Sequence, residues 1–319
     1  MIWDTQVSMP VSHKWRRGEK TFCGHFLGTL AFLLYIIGAV SPMDEENMNL
    51  ETKSNDTLMD VNNATEDEIK ERLCQFGVHY NMESIMNILK HPDNRKEETV
   101  YVLLVKYEET RQKAPVFLPD PRNRHPIISI DGFFTHGRTK IAKMVATALF
   151  GRRILMPTRH VARLRTYFVN PAIKKHYYSL SKYMGAHLAM SYCRSAPVVL
   201  ERYWHDQAAY VMAKSFEGLI PENSSLYDFP KDLLVPDIMF FVNGALNQNI
   251  HNETTAARYM HNDLANKIAA VYRRMRSPSL FEIGPPGLPK PMVLQIMNVI
   301  DKVKHQFLPK PIHRPIWRS

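Results

Sequence analysis

Gly132, Gly137, Arg138 and Thr139 close the segment Ile-Ile-Ser-Ile-Asp-Gly-Phe-Phe-Thr-His-Gly-Arg-Thr, which begins at Ile127. A glycine, four further residues, a second glycine, a cation and a hydroxyl make the frame of a phosphate-cradling loop, with arginine where such a loop carries lysine. A strand that stops at glycine and restarts as a helix aims several backbone N–H groups at one point. A polyphosphate can settle there against the helix N-terminus. The ligand-free alternative is a tight strand-to-helix turn. Further along, Pro197-Val-Val-Leu runs into Glu201 and Arg202, an acid beside a base at the end of an apolar strand. The carboxyl ends of parallel strands face a common crevice, so both side chains are expected to approach the Gly132 loop. A cation buried at a strand end needs an anionic partner, either a ligand or a neighbouring carboxylate such as Glu201 or Asp206. His205 and Asp206 read as a solvent-facing helix start, and Asp237 as a carboxylate that satisfies a turn.

Positioning these groups takes a sheet. Residues 126–130 are apolar and β-branched, and residues 140–150 place Ile141, Met144, Val145, Ala148 and Leu149 at helical spacing, with Gly151 as the expected C-terminal cap. Beyond them, 153–156, 197–200 and 237–242 read as strands, and 172–193, 204–216, 263–275 and 292–307 as helices. Apolar strands without polar alternation, separated by helices, require a parallel sheet covered on both faces. The expected fold class is a three-layer α/β arrangement.

Upstream, residues 66–76 and 81–90 are short amphipathic stretches, and Val100, Leu103, Leu104 and Tyr107 make a helical stripe within 96–111. Pro115, Pro119, Pro121 and Pro126 mark a boundary near residue 120. The chain thus divides into a basic segment 1–21, an apolar segment 22–40, an acidic disordered spacer 41–65, a helical extension 66–119, an α/β domain 120–310 and a tail 311–319.

With 319 residues, 45% of them hydrophobic and 23% charged, the chain can bury a substantial core. Its net charge of +10 favours an anionic partner, but lysine and arginine are scattered rather than blocked, so nucleic acid is not expected. Cys23, Cys74 and Cys193 have no pairing rhythm, and no zinc-ligand spacing appears. Residues 22–40 form a nearly uninterrupted apolar run between Lys14, Arg16, Arg17 and Lys20 and the acidic Asp44, Glu45 and Glu46. That pattern suits a membrane anchor, a cleaved leader or the sorting part of an organelle signal, with a buried core helix as the remaining alternative. Sequons at Asn55, Asn63, Asn223 and Asn252 hint at a secretory route.

Together with the Gly132 loop, the stretches His176-Tyr-Tyr-Ser-Leu-Ser-Lys-Tyr183, Glu201-Arg-Tyr-Trp-His205 and Asp232-Leu-Leu-Val-Pro-Asp237 carry a resemblance. From about residue 127 to 303 the chain resembles the thymidylate kinase-like nucleoside monophosphate kinases, most closely the mitochondrial UMP-CMP kinase 2 branch. The resemblance implies a P-loop NTPase-type fold, ATP and Mg²⁺ as cofactors, and nucleotide partners, with a pyrimidine monophosphate as acceptor if the chain is active. Gly132, Gly137, Arg138 and Thr139 would then cradle ATP, and Thr139 with Glu201 would hold Mg²⁺. Arg165 and Arg202 would grip the acceptor phosphate, Tyr178 would stack on its base beside Lys182, and Arg138, Glu201 and Arg202 would act on the transferring group. Tyr210 falls where the family has an aromatic. Tyr178 as a core tyrosine and Arg165 as a solvated cation are the ordinary alternatives. The family implies mitochondria, whereas the apolar run and the sequons keep a secretory membrane open, and a homodimer is left open too.

Phosphoryl transfer depends on cations and metal ions placed around the transferring group, and here the sequence departs from the family. Arg138 replaces a lysine whose compact ammonium a planar guanidinium does not copy. Phe134 stands where the family has an acid, and Glu201 is longer by a methylene than the family's aspartate. Residues 243–257, in place of the mobile lid, contain no lysine or arginine, and Arg258 follows only at the start of the next helix. Two functions stay open: a divergent ATP-dependent pyrimidine nucleoside monophosphate kinase, and a pseudokinase that keeps the fold as a binding or scaffolding module. The missing cations favour the second.

Overall fold

The computed structural model describes residues 58–132, 135–243, 262–275, 278–284 and 288–307. All of them belong to one compact unit, Glu46–Ser319; a second unit, Met1–Glu45, lies outside the described residues. Expectations for 22–40, Phe134, Asn55, Asn252, Cys23 and the lid from 244 onward therefore fall outside as well.

In chain order the strands are β1 (Met59–Asp60), β2 (Ile127–Asp131), β3 (Arg152–Leu155), β4 (Val198–Glu201), β5 (Phe216–Glu217), β6 (Ile238–Val242) and β7 (Leu280–Ile283). The helices that matter here are α1 (Glu66–Gln75), α2 (Met82–Leu89), α3 (Glu98–Lys113), α4 (Thr135–Ala148), α5 (Pro171–Tyr192), α6 (Trp204–Ser215), α7 (Asn262–Arg274) and α8 (Pro289–Phe307). The main sheet is parallel, in the order β3-β4-β2-β6-β7, and β1 pairs with β5 apart from it.

Every residue of β2, β4 and β6 is buried, as a sheet covered on both faces demands. Alternation along the strands sends Ile128, Ile130, Val199, Ile238, Phe240 and Val242 into a core with Ile141 and Val145 of α4 and Ile296 and Ile300 of α8. The intervening residues meet the other helical layer, where Phe241 stacks on Tyr272 of α7 with ring centroids 4.0 Å apart. The chain is thus the three-layer α/β fold its strand pattern predicts.

At the strand-entry side, Arg124 grips Asp237 through paired 2.6 Å hydrogen bonds, and Asp237 also accepts the Ile127 N–H at 2.7 Å. Asp237 thus clamps β2 and β6 through a buried ion pair rather than simply satisfying a turn. The expected cap at Gly151 also resolves differently. Phe150 is the left-handed residue, at φ 50°, while Gly151 is required because a Cβ there would lie 2.6 Å from the Pro197 carbonyl oxygen.

Residues 58–65 are not a disordered spacer. Met59 pairs with Phe216, Val61 is buried, and Thr65 begins α1 with a reciprocal capping box to Glu68. The following helices are stitched to the α/β layers. Trp204 Nε1 donates to the His79 carbonyl at 3.0 Å, Gln207 Nε2 to the Gly77 carbonyl at 2.9 Å, and Tyr80 OH to the Leu226 carbonyl at 2.7 Å. His79 Nε2 and His176 Nδ1 share a hydrogen bond of 2.9 Å. Strand β7 completes the sheet where no strand was anticipated, because Leu280–Ile283 is only partly buried and carries the charged Glu282. No helix among the described residues is long and apolar enough to cross a membrane, and Asn63 and Asn223 are exposed.

Candidate functional site

The crevice forms where β2 and β4, paired Ile130 to Glu201, both end. Gly132 leaves β2 at φ 136°, a conformation that L side chains rarely adopt, and a Cβ there would strike the Val242 backbone of β6. The helix α4 opens at Thr135 and carries Gly137, Arg138 and Thr139 in its first turns. Three of the expected groups come together here. Thr139 Oγ1 donates to Glu201 Oε1 at 2.5 Å, and Arg138 Nε lies 3.7 Å from the same oxygen.

Arg138 is engaged by groups of the protein itself. Its side chain is only 2% exposed and turns inward, where Nη1 donates to Asp206 Oδ1 at 2.7 Å and to the Gly132 carbonyl. Arg202, at the left-handed φ of 65°, reaches the other Asp206 oxygen from 3.4 Å. Glu201 is fully buried, and Arg153 Nε stands 2.9 Å from its Oε2, close enough for an ion pair though not aligned as a hydrogen bond. Asp131 accepts the Tyr203 N–H at 2.7 Å and the Ser129 hydroxyl at 3.0 Å.

These contacts set the protonation states. Burial, reinforced by the Asp206 charge, pushes Asp131 up to about 7. Burial works against ionisation of Asp206 as well, but Arg138, Arg202 and Lys182 outweigh it and hold that carboxyl below its ordinary value. Burial lowers Arg202, only partly countered by Asp206. The result is a dense cluster of cations and carboxylates that largely satisfy one another.

On the acceptor side, Tyr178 is 5% exposed and its ring lies 5.0 Å from that of Tyr177. Burial raises its phenol, with Arg165 and Arg202 opposing, so both arginines bear on it electrostatically. Lys182 follows on the same helix, also buried. Tyr178 thus sits as a covered core tyrosine within reach of two cations, not as an open platform.

Asp206 and His205 correct the sequence reading outright. Asp206 is the hub of the cluster, and His205 is fully buried against Trp204 and Phe229, with neither ring nitrogen hydrogen-bonded among the described residues. The signal for Asp206 was its spacing from Arg202, four residues apart at a helix start, where oppositely charged side chains meet. Arg153 was anticipated only as a strand residue, and its role follows from the β3–β4 register, which the sequence alone does not give. Tyr272, whose buried hydroxyl has no hydrogen-bond partner among the described residues, carried no signal at all.

The residues as arranged do not fit a magnesium ion. Mg²⁺ demands octahedral oxygen ligands and keeps several waters, whereas Glu201 is shut off from solvent and already faced by Arg138 and Arg153. Among the described residues no group of three acidic, histidine or cysteine side chains could hold a metal.

No protein-family model matches the chain. Nor does any curated protein match it. Among solved structures, it is similar to a thymidylate kinase from Candida albicans, at 16% identity and a TM-score of 0.42, over 57% of this chain and 93% of that one.

Proposed function

We propose that this protein is a degenerate nucleoside monophosphate kinase-like module, a pseudokinase of the thymidylate kinase type whose catalytic cations have been turned to structural use. One observation carries the reading: the loop cation Arg138 is buried and engaged by Asp206 and Glu201. A transferring phosphoryl group needs positive charge held ready for it, and realigning Arg138 would remove its share of the charge that balances two buried carboxylates. The Thr139–Glu201 hydrogen bond, which joins the two groups expected to hold the metal, supports the same reading. Binding or scaffolding is the activity left to such a fold, with nucleotide affinity weak or absent. The sequence motifs relate it to the mitochondrial UMP-CMP kinase 2 branch. Anchoring through residues 22–40, at a mitochondrial or secretory membrane, and self-association belong to the same proposal.

A specific grouping favours a second reading, an active pyrimidine nucleoside monophosphate kinase. Arg165 and Arg202 both lie within electrostatic reach of Tyr178, as acceptor recognition would require. Titration of the full chain with ATP, with and without Mg²⁺, followed by a phosphotransfer assay with UMP, CMP, dCMP and dTMP, separates the two. Weak or absent Mg-ATP binding with no turnover is expected. Turnover within about a hundredfold of ordinary kinase rates, roughly 1–100 per second, rejects the pseudokinase.

A further inference from the structure

Two of the chain's four sequons fall among the described residues, Asn63-Ala64-Thr65 and Asn223-Ser224-Ser225, and neither has proline at its middle position. Asn63 ends the short 3₁₀ turn Val61–Asn63, and Asn223 sits in the turn that the Ser224 N–H closes onto the Pro221 carbonyl at 3.1 Å. Asn63, Thr65, Asn223 and Ser225 are all exposed. An attached glycan is bulky and hydrophilic and needs open solvent at its asparagine, which both turns offer.

The fold brings the two sequons to one face although they lie far apart in sequence. Strands β1 and β5 are parallel, with Asp60 opposite Glu217, so the chain leaves both in the same direction, toward Asn63 from one strand and Asn223 from the other. Glu66 ties these exits together. Its Oε1 accepts the Ser224 hydroxyl at 2.7 Å, the Ser225 hydroxyl at 2.8 Å and the Ser225 N–H at 3.0 Å. Asn63 Nδ2 donates to Asp60 Oδ2 at 2.7 Å, and an amide that has taken a sugar keeps one N–H for such a bond.

Orientation is the second, independent observation. The apolar run 22–40 has Lys14, Arg16, Arg17 and Lys20 before it and all four sequons after it. Basic flanks stay on the cytosolic side of a membrane, so a chain inserted this way carries everything beyond the run to the side where asparagine is glycosylated.

We propose that Asn63 and Asn223 are N-glycosylated and form one glycan-bearing face of a secretory-pathway protein. In the transfer, Nδ2 of each asparagine bonds to the anomeric carbon of an oligosaccharide carried on a lipid pyrophosphate. The amide gives up one proton, the sugar–phosphate bond breaks, and the lipid pyrophosphate leaves. Glycosylation would place the anchor proposed above in a secretory membrane, and its absence would leave the pseudokinase reading untouched.

The test is expression of the full chain in animal cells, then peptide N-glycosidase F treatment, gel electrophoresis and peptide mass spectrometry. A faster-migrating band is expected after treatment, with Asn63 and Asn223 converted to aspartate in the treated sample only, the mark the glycosidase leaves where it removes a glycan. Asn63→Gln and Asn223→Gln should each run one glycan step below the native chain before treatment, and Ser225→Ala, which keeps Asn223, should match Asn223→Gln. An unchanged band, unmodified asparagine at either position, or a Gln variant that migrates with the native chain would each overturn the proposal. Should a variant fail to fold, the peptide masses of the native protein still decide.

Discussion

Arg138 Nη1 stands 2.7 Å from Asp206 Oδ1, with the arginine 2% and the aspartate 8% exposed. A buried pair of this kind contributes little beyond what well-packed apolar residues would, but breaking it from one side leaves a charge with nowhere to go. Asp206→Ala strands Arg138 and Arg202 together and is expected to cost about 3–5 kcal/mol in urea denaturation. Arg138→Met combined with Asp206→Leu should lose far less than the sum of the single changes. A strictly additive double variant would mean that the pair is not coupled.

Acid should loosen the protein through its histidines. Burial holds His205 at about 3, and burial with the neighbouring His176 charge holds His79 there too, while burial and Lys175 hold His176 at about 4. An unfolded histidine titrates near 6.5. Below about that pH the unfolded chain binds protons that the folded chain refuses, so stability present above it is lost as pH falls toward the folded values. Asp131, raised by burial, works in the opposite sense over part of the same range. The separable share is that of His205, which stacks on Phe229 with centroids 5.3 Å apart. In His205→Phe, the decline of the urea midpoint between about pH 7 and 5 should be shallower, each unit of pKa displacement being worth about 1.4 kcal/mol. An unchanged slope would refute the assignment.

A chain cut to residues 116–319 is expected not to fold cooperatively. The helices it lacks contribute Ile69, Leu73, Ile85, Leu89, Val100 and Leu103, each no more than 3% exposed, and hold His79 against His176. Removing them opens Trp204, Gln207 and α5 to water. Circular-dichroism melting of 116–319 against 58–319 measures the difference, and a sharp transition in the shorter chain would make the extension an appendage.

Gly77 and Gly218 form a matched pair, both at φ 83°. A Cβ on Gly77 would lie 2.6 Å from the Lys175 carbonyl oxygen and 2.8 Å from Gln207 Nε2, whereas Gly218 has nothing within 4 Å. Gly218→Ala should cost only the left-handed penalty of about 1–2 kcal/mol. Gly77→Ala adds a steric clash at the joint between α1 and α5, and its loss should clearly exceed that of Gly218→Ala in chemical denaturation.

The main sheet was legible because its central strands are apolar on both faces, a pattern that run length and flanking helices decode directly. The Gly132 loop was legible for the same local reason. What escaped were features set by partners distant in sequence. Asp206 looks like a surface residue at a helix start until the chain brings it within 2.7 Å of Arg138, 68 residues earlier. Strand β7 earns its place by pairing with β6, not by its own composition. Short β1 is a strand only because Phe216 and Glu217 lie beside it.

Gly132 leaves one lesson for detecting such proteins. Because a methyl group there would collide with the Val242 backbone, the position is forbidden to other residues by the neighbouring strand, whatever the crevice holds. A hallmark usually credited to ligand selection can thus outlive the ligand, maintained by architecture alone. The side chain at position 138, which no backbone clash dictates, says more about the chemistry of the crevice than Gly132 does.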